Sequence, residues 1–188
     1  MSEDPFTTGE TVTRTFRFDQ IYETFLIEEA KKRGTSVNSL VEQIFRKYML
    51  IYRFFGVPGT VAISHNHLDL GIEALSKEDI AKLFPEGSIS SFISILSRIG
   101  APLDQRSLPV LIELGGIIGW FNAEIIRRGD SEVYYLRHGL GENWGFYLKT
   151  FFEAYFKEIL EMEQKVEQYN GFILFTVDPK KLTKNTRR

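Results

Sequence analysis

The chain contains no cysteine among its 188 residues. That absence excludes disulfides, thiolate metal sites and cysteine nucleophiles together. A dominant charge is missing as well: 23 Lys+Arg stand against 25 Asp+Glu, a formal −2. Bulk charge therefore does not announce a nucleic-acid binder. No apolar run approaches the length of a membrane span, and the opening MSEDPFTTGE lacks the pattern of a secretory leader. The chain is expected to be soluble and cytoplasmic, with no membrane partner. What it does hold is apolar material, 43% hydrophobic and 14% aromatic, enough for one medium domain or two small ones.

Catalytic signatures are also lacking. There is no Gly-x-Ser-x-Gly elbow and no P-loop ending in Gly-Lys-Ser/Thr. The acids of the carboxy-terminal half, such as Glu153, Glu158 and Glu163, fall on predicted helix surfaces. No catalytic residue is nominated, and the chain is not expected to be an enzyme.

Along the chain, residues 1–10 read as a tail. Thr11 to Phe18 alternates, with Val12, Phe16 and Phe18 on one face and Thr13, Thr15 and Arg17 on the other, which predicts a half-buried strand. Arg14 is the one blemish on the apolar face. Asp19 stands where a helix N-cap belongs, Ile21, Phe25, Leu26 and Ala30 follow at helical spacing, and Gly34 closes that helix. Ser36 caps a second helix whose stripe runs through Leu40, Val41, Ile44, Phe45 and Tyr48. Gly56, Pro58 and Gly59 mark a boundary, giving an amino-terminal unit over 11–55 and a second domain over 60–178.

In that second domain, 60–70 (TVAISHNHLDL) reads as a strand and Ser76 caps the helix SKEDIAKLF. Further helices are predicted over 88–99 and 108–121, and a hairpin turns at Gly129-Asp130-Ser131. A long helix over 142–168, stopped by Gly171, precedes a last strand over 172–177. The fold class is α+β. Residues 179–188 form a basic tail through Lys180, Lys181, Lys184, Arg187 and Arg188.

One strand and two helices are too few to close a core, unless a second copy completes it. Two strands pairing as an antiparallel ribbon, with four helices behind, would solve this. The segment TRTFRFDQIYETFLIEEAKKRGTSVNSLVEQIFRKYM resembles a ribbon-helix-helix DNA-binding domain of the MetJ/Arc/CopG type, over residues 11–50. The resemblance implies a homodimer or higher oligomer that reads the major groove of double-stranded DNA with its ribbon. It implies base contacts from Thr13, Thr15 and Arg17, and phosphate anchoring by the amides of Ser36, Val37 and Asn38. A transcriptional repressor is the leading expectation. The unit holds as many acids as bases, so each dimer is expected to bind modestly and to depend on assembly. The alternatives are an antitoxin-like protein-interaction module and a metal-responsive repressor.

The metal alternative rests on His65 and His67, placed on one face of the predicted strand together with Asp69. Nickel-responsive relatives of that DNA-binding class carry His-x-His on a strand, but they also use a cysteine, which this chain lacks. No cofactor is expected, a metal ion being the one candidate. The junction from Arg137 to Trp144, with Gly139 and Gly141, could turn backbone amides toward an anion. Trp120 and the phenylalanines could line a pocket for a small-molecule effector.

Overall fold

The computed structural model describes residues 10–54 and 63–178. The expectations for residues 1–9, for Gly56, Pro58 and Gly59, and for the basic tail therefore lie outside the described residues. The chain divides near residue 61 into two compact units. Among the described residues are six α-helices and one four-stranded antiparallel sheet. No described helix is long and apolar enough to cross a membrane.

In the first unit, helix α1 (Gln20–Lys32) begins at Asp19, whose carboxylate accepts from the Ile21 amide at 3.1 Å. Gly34, at φ 62°, lets the chain reverse. The Thr35 amide then bonds to the Ala30 carbonyl and the Gly34 amide to the Lys31 carbonyl, closing the exposed end of the helix. Helix α2 (Val37–Leu50) begins at Ser36, whose Oγ accepts from the Ser39 amide at 3.1 Å. A single 3₁₀ turn, Tyr52–Phe54, follows. The strand expected over 11–18 is not formed: these residues carry no regular secondary structure. The reason is physical, since a strand exists only through hydrogen bonds to a neighbour. The described residues of the first unit hold no other strand for this segment to pair with.

The second unit is built around helix α6 (Glu142–Glu158). Its residues Trp144, Leu148, Phe151, Phe152 and Tyr155 recur at helical spacing and are all buried. One side packs on the sheet, where Phe152 and Phe156 each lie 5.1 Å from the Phe175 ring. The other side meets helix α4 (Lys77–Ile99), where Phe92 contacts Phe151 and Tyr155 edge-on. Helix α5 (Ser107–Ile117) is apolar almost all round and correspondingly buried. Its first residue, Ser107, is fully buried, donates to the Asp104 carbonyl at 2.7 Å and lies 2.8 Å from the Tyr155 hydroxyl. Because the serine proton is committed to Asp104, the tyrosine must donate to Ser107. Burial pushes the Tyr155 hydroxyl pKa well up, which keeps that proton in place.

The sheet runs β1-β2-β4-β3, with every neighbour antiparallel. Strands β1 (Asn122–Arg128) and β2 (Ser131–Arg137) form the expected hairpin through Gly129-Asp130. Strand β4 (Phe172–Val177) pairs with β2 so that Leu136 meets Ile173 and Tyr134 meets Phe175 on the face covered by α6.

Four expectations are corrected here. Residues 65–73 form helix α3 (His65–Glu73), not a strand. Ser64 caps it, and Leu68, Ile72 and Leu75 supply a helical stripe that the apparent alternation hid. The two helices expected over 76–99 are one, continuous through Pro85. Ile80, Ile89, Phe92 and Leu96 bury along its length, so packing overrides the proline's cost. The helix expected over 108–121 stops at Ile117, and the Gly119 amide bonds back to the Gly116 carbonyl as the chain turns toward β1.

Finally, α6 ends at Glu158 rather than near residue 168. Glu161 takes a left-handed conformation, φ 51°, and the Met162 amide bonds to the Phe156 carbonyl at 3.0 Å. The chain then makes a short strand, β3 (Glu167–Tyr169), joined to β4 by Asn170-Gly171. Gly171, at φ 79°, is a hairpin turn residue and not a helix stop.

Candidate nucleic-acid interface

The three residues expected to read bases, Thr13, Thr15 and Arg17, all lie exposed on the segment that precedes α1. Their apolar neighbours are exposed too: Val12 is 82% and Phe16 61% accessible, and Phe18 follows the same pattern. The segment meets α2 where the Phe16 and Phe45 rings stand 6.2 Å apart. Phe25 on α1 and Tyr48 on α2 are likewise open. Only Ala30, Leu40, Leu50 and Ile51 are buried among the described apolar residues of this unit. Its apolar stripes therefore point outward around a very small interior, the reverse of a finished domain.

The expected phosphate anchors sit at the first turn of α2. Ser36 spends its side chain on the Ser39 amide, while its own carbonyl accepts from Leu40. The amides of Val37 and Asn38 occupy the positions where a helix offers no internal acceptor, and there the dipole favours an anion. Asn38 is exposed and Val37 half-buried, so both lie near the surface. Arg33, just before them, is held by Glu29 at 2.6 Å across one helical turn, which compensates one cation of the turn.

The proposed metal triad is taken apart by helix α3. On a helix, residues two apart point to nearly opposite sides, so His65 and His67 cannot share a face. His67 Nδ1 pairs with Ser64 Oγ at 2.6 Å, and His65 lies against Gly119, where a side-chain Cβ would come within 2.8 Å of its Nε2. Asp69 turns to a third task and accepts from the Gly141 amide at 2.7 Å. Among the described residues, no group of three His, Cys, Asp or Glu side chains could hold a metal ion.

That last bond also settles the glycine junction before α6. Its amides do meet anions, but the anions belong to α3. Asp69 takes Gly141, and Glu73 accepts from the Asn143 amide at 2.8 Å. In return the Asn143 side chain donates to the carbonyls of Ile72 and Leu75, at the end of α3. The two helices cap each other. Lys77 adds an ion pair to Glu142, and that carboxyl is accordingly held below its usual range. His138 lies beside this clasp. Its Nδ1 donates to the Leu140 carbonyl at 3.0 Å, which leaves Nε2 as a buried acceptor without a partner. Burial lowers its pKa, so the ring is kept neutral.

Beside the clasp, a groove of about 450 Å³ opens among Leu68, Ile72, Leu75, Trp120, Trp144 and Tyr147. Two of its aromatic walls have their polar ends bonded: Trp144 Nε1 donates to the Trp120 carbonyl, and the Tyr147 hydroxyl pairs with Ser88. It offers apolar and ring surface with His67 at its rim.

Comparison with known proteins adds no relative. No family model, curated protein or solved structure matches the chain.

Proposed function

We propose that the amino-terminal unit is a homodimeric DNA-binding module that reads the major groove with a two-stranded ribbon of residues 11–18, in a transcriptional regulator acting as a repressor. The observation that carries this reading is the inverted burial of that unit. Its caps and turn suit two helices, yet its aromatic and aliphatic side chains lie outside. A second copy, pairing segment to segment, supplies both the missing hydrogen bonds and the missing core. Alternation would then put Val12, Phe16 and Phe18 against the helices and leave Thr13, Thr15 and Arg17 facing outward. Arg can donate twice to guanine, and threonine offers a hydroxyl and a methyl to neighbouring bases. The Val37 and Asn38 amides would seat a backbone phosphate.

The test is binding to DNA fragments selected by the full chain from a genomic library. Arg17→Ala is expected to weaken binding to a selected fragment by about 1–3 kcal/mol while leaving the oligomer mass unchanged. Failure to retain any fragment, or unchanged affinity in the variant, would remove the DNA reading. Recovery of an equimolar small protein from the native source would instead favour the antitoxin-like alternative.

A further inference from the structure

The sheet of the second unit has two edges of very different character. On one side β3 is only three residues long. On the other, β1 runs for seven residues and every one of them is exposed. A long exposed edge presents a row of N–H and C=O groups that can template another strand. Folded proteins usually guard such an edge with charges that repel a second copy. The charges of β1 are arranged otherwise.

The register with β2 assigns the faces. Glu124, Ile126 and Arg128 pair with Tyr135, Val133 and Ser131, on the face away from α6. Ala123, Ile125 and Arg127 lie on the other face, and Arg127 is already held by Glu132 of its own hairpin at 3.2 Å. Now consider a second β1 laid antiparallel along the free edge, related by a two-fold axis normal to the sheet. Side chains directly opposite must share a face, which permits only every second register. With the axis at Ile126, Glu124 stands opposite Arg128 of the second copy, Ile126 opposite Ile126, and Arg128 opposite Glu124. Two ion pairs then flank an aliphatic pair. With the axis at Ile125 instead, Glu124 would face an isoleucine and neither charge would be met. The pattern is self-complementary in one register.

We infer that β1 is a docking edge for a second copy of this chain, joined by Glu124–Arg128 pairs about a central Ile126 into one continuous eight-stranded sheet. Ile125 and Ile126, 48% and 37% accessible in the single chain, lie along the joint. Glu124 loses nothing essential by turning to the second copy, since its bond to Arg137 is long at 3.5 Å and fully at the surface. This assembly uses the second unit alone and stands whether or not the first unit binds DNA.

The absence of native cysteine gives a clean test in the full chain. Ile126→Cys places one thiol directly opposite its counterpart, at the separation of facing residues in antiparallel strands, about 4.5–5.5 Å between Cα atoms and within disulfide reach. Mild oxidation is expected to yield a covalent dimer as the main product. Adding Glu124→Arg, or separately Arg128→Glu, sets like charges opposite each other twice per joint, and cross-linking is expected to slow about tenfold. Mixing the two variants brings unlike charges together again and is expected to restore the rate. Two misfolded variants could not rescue each other, so recovery also reports folding. The neutral Glu124→Gln and Arg128→Gln variants are expected to give intermediate rates. Absence of cross-linking, indifference to the single charge reversals, or no recovery on mixing of variants with native circular dichroism would each overturn the inference.

Discussion

The two units of this chain use aromatic residues in opposite ways. In the second, Phe151, Phe152, Tyr155 and Phe156 are turned inward between a sheet and a helix, and the interior is complete within one copy. In the first, Phe16, Phe18, Phe25 and Phe45 are turned outward, and only four of its described apolar residues are enclosed. Composition alone does not separate the two units. What differs is whether the elements within one chain suffice to cover the apolar face. A sheet with α6 across it does so; two short helices and a lone extended segment do not.

The largest expected effect exposes that contrast. Phe152→Ala should cost about 3–5 kcal/mol of unfolding free energy, because the cavity it leaves lies wholly inside one copy, away from the β1 edge. Phe45→Ala should act on a transition that itself moves with concentration, if the proposed second copy is what finishes the core of the first unit. Denaturation followed by circular dichroism at concentrations a hundredfold apart would read both. A concentration-independent loss for Phe45→Ala would end the contrast, since the first unit would then be self-sufficient.

A smaller effect is expected at the end of α6. Glu161 holds a left-handed conformation in which its Cβ is crowded, so Glu161→Gly should stabilise the second unit by about 1 kcal/mol. Thermal melting would show a rise, whereas the same substitution in a right-handed helical position lowers stability. The smallest effect concerns pH. The half-buried His138 ring has a pKa below that of the unfolded chain, so between the two values the unfolded state binds more protons. Its contribution is whole above the ordinary histidine pKa and declines as pH falls through and below it. Unfolding measured from pH 7.5 down to pH 5 should show this fall in the parent, and a shallower one in His138→Gln.

Particular residues show what could be read in advance. Asp19, Ser36 and Ser76 cap their helices as their side chains foretold, because a cap is a local bond between neighbours in sequence. The β1–β2 hairpin was legible for the same reason. Ser64 carried an equally good cap signal, but the alternation after it read as a strand, and the error placed His65 and His67 on a common face. Asn170-Gly171 was a strong hairpin signal masked by the helical periodicity that runs into it. The helices expected over SKEDIAKLF and 88–99 run together through Pro85, since contacts with elements distant in sequence decide that helix. Nothing local foretold that the carboxylates of Asp69 and Glu73 would meet amides some seventy residues away.

Those two bonds bear on how the second unit opens. Nine residues make a helix too short to persist in water unaided, so α3 exists by virtue of the end of α6 to which it is fastened. The first turn of α6 is in turn shielded from solvent exchange by α3. The Gly141 and Asn143 amides should therefore exchange their hydrogens at the rate at which α3 detaches, not at the rate at which α6 frays. Local opening in this part of the molecule is one shared event, timed by the weaker of two helices that hold each other.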